Sequence, residues 1–411
     1  MPEPVILVIG YFEDLAHHLT GFSDELSLYL VTDTSWSGEW PHGRVIEIGH
    51  ISRQAILRVL SETGLGKAVR AIVPGRERYT ALSAELADLL GVEPAMPEAY
   101  RVLEDKYLLR RASHAAGITS TFFMLARDPA ELARARSAVP GAGVVIKPRK
   151  GNASRGVGLI PPDADENESA KLFIRSCSDL AECLVEEYVE GSSYSVETVR
   201  RHGREIFQNV TGKTLSGTRA MSPFIPIRHT VPAALCADGA SVLFDLQRRF
   251  LDSIGAHTGL FHAEWQVPAS GEPYLVECAA RFPGGGLADA VLASYGVNLA
   301  HLWLGALVGS HVAPVPAPCG YATSLSLTAD RPGVLERIDG IEQVAALPEV
   351  KRIVQRATLG STVRPAQDGF DRLLRVTLHA DGAERLDQLS RLVENLVKLQ
   401  IVPRDRRTPG E

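Results

Sequence analysis

Two glutamates in the stretch from Gly259 to Gly286, GLFHAEWQVPASGEPYLVECAARFPGGG, constrain this chain more than any other feature. Phe261, Ala263, Trp265 and Val267 alternate with His262, Glu264 and Gln266, a period of two. Tyr274, Val276 and Cys278 alternate likewise with Leu275 and Glu277, and Pro-Ala-Ser-Gly-Glu between the runs is turn chemistry. A hairpin folded about Ser270–Gly271 sets Glu264 directly opposite Glu277. Opposed side chains in an antiparallel pair stand ~5 Å apart at Cβ, and like charges there repel. The pair therefore needs a proton, a strong cation or a metal. Arg281 follows Glu277 by four positions and a Pro-Gly-Gly-Gly run comes next. Hard oxygen ligands beside a glycine loop suit Mg²⁺ carrying nucleotide phosphates; a surface hairpin with two solvated glutamates is the plainer alternative.

The first hundred residues alternate strand and helix. Val5–Ile9 is an apolar run suited to a buried parallel strand. Ser27–Val31, Arg44–Ile48 and Ala68–Val73 read as further strands, with helical patterns over Ile51–Glu62 and Tyr79–Leu90. This is the alternation of a doubly wound sheet. No G-x-G-x-x-G follows the first strand, so a dinucleotide fingerprint is absent. One helix is predicted from Pro97 to Gly117, carrying Lys106 on its way. Val144–Ile146 reads as a short strand leading into Lys147-Pro148 and the basic, glycine-flanked loop up to Gly156-Val157. The backbone amides and Ser154 of that loop suit an anion, although a flexible hairpin loop with solvated charges has the same composition. It is not a Walker A loop.

Leu184–Tyr188 and Tyr194–Val199 read as two more strands. The segment from Val185 to Glu197, V-E-E-Y-V-E-G-x-x-Y-S-V-E, resembles the adenine-binding segment of the ATP-grasp superfamily. Asp105-Lys106, Val145-Ile146-Lys147-Pro148 with its loop, and Glu264 with Glu277-x-x-x-Arg281 follow in that superfamily's order. Within it, the chain resembles the L-amino-acid ligases, the dipeptide-forming carboxylate–amine ligases. His229-Thr230-Val231-Pro232 is similar to their H-x-x-P segment, and His262-Ala263-Glu264 to their H-x-E strand.

The resemblance implies an α/β N-terminal pre-grasp domain over 1–94, an ATP-grasp fold of two α+β subdomains over 95–312, a C-terminal α+β lid-like domain over 319–403, and a flexible tail over 404–411. It implies ATP bound through Lys106, Lys147, Ser154, Gly156 and Ser193, with Glu186 near the adenine amino group and Glu187 and Val189 giving backbone contacts. Glu264 and Glu277 would hold Mg²⁺, with Mn²⁺ as a substitute. Arg281, His229 and His262 would act on the reacting groups. Arg228, Gly284 and Gly285 would meet the substrate, though Arg228 reads equally well as a surface arginine and the glycines as a tight turn. The implied reaction is ligation of a small carboxylate to an amine through an acyl phosphate, releasing ADP and phosphate. Another acceptor (formate or carboxyphosphate chemistry) and a non-catalytic nucleotide-binding protein remain as alternatives. The chain departs from the superfamily at Ser193, where an acid often binds ribose, and at Ala279, where an Asn often binds metal.

Composition sets outer bounds. At 411 residues the chain has ample core for two or three domains. A net charge of −6 makes no general case for nucleic acid or an anionic membrane. No apolar run reaches the ~18 residues of a membrane helix. The five cysteines include no C-x-x-C, which favours reduced thiols and a cytoplasmic setting. The expected partners are ATP and small carboxylate and amine substrates, with neither nucleic acid nor membrane; a homodimer is compatible with the resemblance.

Overall fold

The computed structural model describes residues 3–22, 26–36, 38–118, 121–139, 141, 143–177, 181–217, 222–310 and 314–403. The expected tail at 404–411 lies outside them, as does residue 312 at the expected domain boundary.

The N-terminal segment is a parallel sheet in the order Val45–Ile48, Ser27–Asp33, Val5–Ile9, Val69–Pro74. All five residues of Val5–Ile9 are buried, as a strand covered on both faces requires. Ile6, Val8, Leu28, Leu30 and Val73 share a core with Phe282, Leu287, Val291, Leu299 and Trp303. That core ties this sheet to the helices Leu287–Tyr295 and Leu299–Val308. The two helices are short, mutually bent and mostly buried, and among the described residues no single helix is long and apolar enough to cross a membrane.

Two antiparallel sheets follow. The smaller has the order Phe123–Ala126, Cys183–Glu187, Val144–Pro148, Gly158–Ile160. The larger has eight strands: Tyr274–Ala279, Gly259–Val267, Ser192–Arg201, Arg204–Leu215, Pro226–Val231, Tyr321–Thr328, Arg372–Ala380 and Val350–Gln355. Its last three strands belong to the C-terminal α+β segment, so that segment joins the body edge to edge through the Pro226–Val231 and Tyr321–Thr328 ladder. A three-stranded sheet of Thr362–Val363, Gly333–Asp339 and Lys398–Val402 completes it.

The hairpin forms with Glu264 paired to Glu277, Ala263 to Cys278 and His262 to Ala279. A bulge after Glu264 then shifts the register, so Trp265 meets Leu275. Phe261, Ala263 and Trp265 pack with Leu243, Phe250 and Leu251 of the helix Ala237–Ser253. Burial of each large apolar side chain there contributes about 1.5–3 kcal/mol. The alternation then turns His262 and Glu264 to the opposite face.

Candidate active site

The long helix expected through Lys106 is instead two helices, Pro97–Glu104 and Lys106–Ala115. Asp105 breaks it with extended backbone (φ −110°, ψ 109°), and its carboxylate accepts from the amides of Tyr107 and Leu108. Arg149, from the small sheet, donates to the same carboxylate. Lys106 thereby becomes the first residue of a helix and is buried rather than solvated. Its Nζ lies 2.9 Å from Glu277 and donates to the Gly151 carbonyl at 2.6 Å. Burial alone would lower its pKa; Glu277 and Glu77 outweigh that and raise it.

Glu264 has its own cation. Lys213, with a side chain only 3% exposed, pairs with it from the neighbouring part of the sheet. Lys213 and the His262 hydrogen bond overcome the desolvation of Glu264 and hold its carboxyl well below the usual range. The repulsion read from the sequence is thus compensated by two lysines, one per carboxylate, and does not by itself call for a metal. Among the described residues no cluster of three or more acidic, histidine or cysteine side chains is set to hold an ion. Two hard carboxylates facing each other, one held firmly ionised, fit a Mg²⁺ that brings phosphate oxygens and water rather than one caged by protein.

Cross-strand pairing carries the site across the sheet. His262 pairs with Glu197, Glu197 with Asn209, and Lys213 with His229, so these side chains share one face. Glu197 is fully buried and accepts from Ser195 (2.8 Å), Thr211 (2.6 Å), Asn209 (3.0 Å) and His262 Nδ1 (2.9 Å). The other ring nitrogen of His262 is 3.4 Å from Glu264. Burial would lower the His262 pKa, but these two carboxylates raise it. His262 thus lies between Glu197 and Glu264. His229 behaves in the opposite way. Burial, with Lys213 and Arg372 beside it, keeps it well below the ordinary histidine value, and its Nδ1 has no hydrogen-bond partner.

Several expected roles meet different surroundings. The Glu186 carboxylate, expected near an adenine amino group, is buried between Arg110 (2.6 Å) and Lys147. Burial is the main reason the Lys147 pKa is lowered despite Glu186. The Glu187 amide already donates to Phe122 at 3.0 Å, while Val189 lies beyond the end of its strand. Ser154 donates to the Phe224 carbonyl at 3.0 Å instead of presenting its hydroxyl to an open loop. Gly156 packs on Pro148, where an added Cβ would come within 2.9 Å. Ser193 donates to Gln266 at 2.6 Å. Arg281 is gripped by Glu77 of the N-terminal segment, with both Nε and Nη2 at 2.8 Å.

Arg228 has a carboxylate partner of its own. Neighbours in a strand point to opposite faces, so Arg228 is directed away from the face holding His229. It pairs with Asp387 of the helix Ala383–Leu396 at 2.7 Å. The glycines also separate. An added Cβ at Gly284 would meet only Phe12, at 3.8 Å, whereas Gly285 (φ +68°) and Gly286 (φ +73°) are pinned by close neighbours. Lys213, Glu197, Arg110 and Glu77 were missed by sequence reasoning. Lys106 and Arg110 stand four apart on one buried helix face, which is the one signal that could have revealed Arg110.

A cavity of about 1010 Å³ opens at the carboxyl ends of Val5–Ile9 and Val69–Pro74, lined by Tyr11, Trp36, Arg76, Tyr79 and Arg352 among others, and Arg76 precedes the Glu77 that holds Arg281.

Residues 141–289 match the family described as ATP-grasp domain, and residues 326–402 match L-amino acid ligase C-terminal domain 2. The uncharacterized protein y4rH of Sinorhizobium fredii (strain NBRC 101917 / NGR234) is 25% identical over 85% of this chain and 73% of its own length. The alanine–anticapsin ligase of Bacillus subtilis is 24% identical over 61% of this chain, which spans 56% of that protein. In fold, the L-amino acid ligase from Bacillus licheniformis superposes with a TM-score of 0.82 at 18% identity, covering 98% of this chain and 99% of the other. An N5-carboxyaminoimidazole synthetase from Staphylococcus aureus, complexed with ADP, superposes at 0.72 with 17% identity over 95% and 96%. Residues 141–289 thus carry an ATP-grasp domain and residues 326–402 an L-amino acid ligase C-terminal domain 2, on a fold shared with an L-amino acid ligase.

Proposed function

We propose that this protein joins a small carboxylate, an amino acid, to an amine, with ATP consumed to ADP and phosphate. A carboxylate is a poor acyl donor because its leaving group would be oxide. Phosphorylation converts it to an acyl phosphate, and attack by an amine then builds a tetrahedral oxyanion. The observation that carries this reading is the opposed Glu264–Glu277 pair, each carboxylate on its own buried lysine, with Arg281 four residues beyond. When bound, Mg²⁺ (or Mn²⁺) on this pair would draw charge from the phosphates. Lys106 and Lys147 would screen polyphosphate, and Glu187 and Val189 would meet the adenine edge through their backbones. Glu186 keeps Lys147 and Arg110 in place from behind.

Arg281 cannot deprotonate and suits the oxyanion, sharing its guanidinium with Glu77. Neutral His229 stands beside Lys213 and Arg372 on the sheet face that carries Glu264. The cavity by Tyr11 and Arg76 gives room for the rest of a substrate. The ligase domain at 326–402 supports amino acids over other carboxylates.

The test is phosphate release screened over pairs of amino acids with MgATP, followed by mass spectrometry of the product. Phosphate that appears only when both partners are present, with a new amide, is the expected result. Stoichiometric pyrophosphate would place the protein in an adenylating class and overturn the reading.

A further inference from the structure

Arg372 begins the strand Arg372–Ala380 and is only partly exposed. Its Nε and Nη2 both donate to one acceptor, the Pro226 carbonyl, at 3.2 and 2.8 Å. Among the described residues no carboxylate pairs with it. The neighbouring arginines all have one: Arg228 has Asp387, Arg281 has Glu77 and Arg375 has Asp14. Burial, with Arg375 and Arg356 close by, pushes the Arg372 pKa down to about 10. A partly buried guanidinium without a counter-charge is costly to keep unless an anion arrives.

The remaining nitrogen shows where that anion would sit. A Cβ added to Gly285 would stand 3.3 Å from Arg372 Nη1 and 2.8 Å from His229 Nε2. A guanidinium nitrogen and an imidazole nitrogen therefore converge beside the Gly285 backbone, where a side chain at that position would crowd them. Lys106 and Lys147, the cations suited to polyphosphate, come from other elements and already have carboxylate partners.

Building on the proposed ligation, we propose that Arg372, with His229 beside it, binds the substrate carboxylate that does not react. An amino acid offering its amine keeps a free carboxylate, which has to be held so that only the amine reaches the acyl phosphate. An acidic side chain on the carboxylate partner presents the same chemistry. Arg372 is then a specificity residue for the ligation.

The experiment compares wild type, Arg372→Gln and Arg372→Lys. The amine partner is supplied as the free amino acid or as its amide, and the carboxylate partner is alanine or aspartate. KM and kcat are read for each, and calorimetric binding of the same compounds in MgADP is measured alongside, without turnover. Loss of one charge-assisted contact should cost Arg372→Gln roughly 10- to 100-fold in affinity for the free acid. Its preference for acid over amide should vanish, and Arg372→Lys should recover part of it. A loss that follows aspartate instead assigns the same contact to the carboxylate partner. Equal losses for acid and amide, or a change confined to MgATP affinity, overturn the proposal. If wild type turns over no pair, the ligation reading fails separately, and calorimetric preference for acid over amide still decides for or against Arg372.

Discussion

Lys106 Nζ and a carboxylate oxygen of Glu277 are 2.9 Å apart, and this contact joins the start of a helix to the far strand of the hairpin. It makes the paired glutamates a balanced four-charge group, with Lys213 serving Glu264. Each of the two carboxylates already has its own lysine.

Glu277→Gln is expected to abolish ligation because it removes a hard anionic ligand. It should also destabilise the protein without nucleotide, by ~1–3 kcal/mol, since Lys106 loses its counter-charge. A simple repulsion between the glutamates would give a gain instead. Phosphate release and thermal unfolding of the two proteins separate these outcomes, and near wild-type ligation would remove Glu277 from the metal site.

Glu186→Gln strands Arg110 and Lys147, whose side chains are 1% and 5% exposed. Breaking such a buried network costs about 3–5 kcal/mol. A lower unfolding temperature in the absence of nucleotide is the expected result. An unchanged unfolding temperature with a raised KM for ATP would return the Glu186 side chain to the adenine.

His262 supplies a pH dependence. Its folded pKa is raised by Glu197 and Glu264 over the opposing effect of burial. The stabilisation is therefore fully present below the ordinary histidine value of about 6.5 and is lost as pH rises through the folded value. The stability difference between wild type and His262→Gln should be larger near about pH 6 than near about pH 9. A difference that is flat or grows with pH would show that His262 is not charged between the two carboxylates.

The glycine run offers a selective test. Gly284→Val enters open space and should narrow the accepted carboxylates, by roughly 10- to 200-fold per methylene lost from the pocket. Gly285→Ala should chiefly destabilise, by ~1–2 kcal/mol from its left-handed backbone alone. Measurement of kcat/KM for alanine, leucine and phenylalanine, with unfolding curves for both variants, checks the division. An unchanged substrate ranking in Gly284→Val would remove Gly284 from the pocket.

The hairpin register was legible because alternation and turn chemistry agree around Ser270–Gly271; the bulge after Glu264 was not, since it leaves no mark in the pattern. The break at Asp105 was hidden inside a run with good helical periodicity, yet it decides where Lys106 points. Lys213 escaped because its strand is polar on the very face that forms the site. Arg228 and His229 are adjacent in sequence and so fall on opposite faces of their strand, which the sequence motif alone does not separate. The shared sheet of eight strands was equally illegible, since edge pairing between distant segments has no local signature.

That sheet decides which part of the molecule can move. Backbone ladders run unbroken from Tyr274–Ala279 to Val350–Gln355, so the C-terminal segment cannot swing away without breaking a row of hydrogen bonds. Among the described residues, the antiparallel four-stranded sheet with Val144–Pro148 shares no ladder with it. Its attachments are individual hydrogen bonds, such as Arg149 on Asp105, Lys106 on the Gly151 carbonyl, and the Gly369 amide on the Ala153 carbonyl. We expect the small sheet, rather than the C-terminal segment, to move when MgATP is bound. Spin labels on Lys171 and Glu384 should report a distance that changes with MgATP, while a pair on Glu272 and Glu384 holds constant.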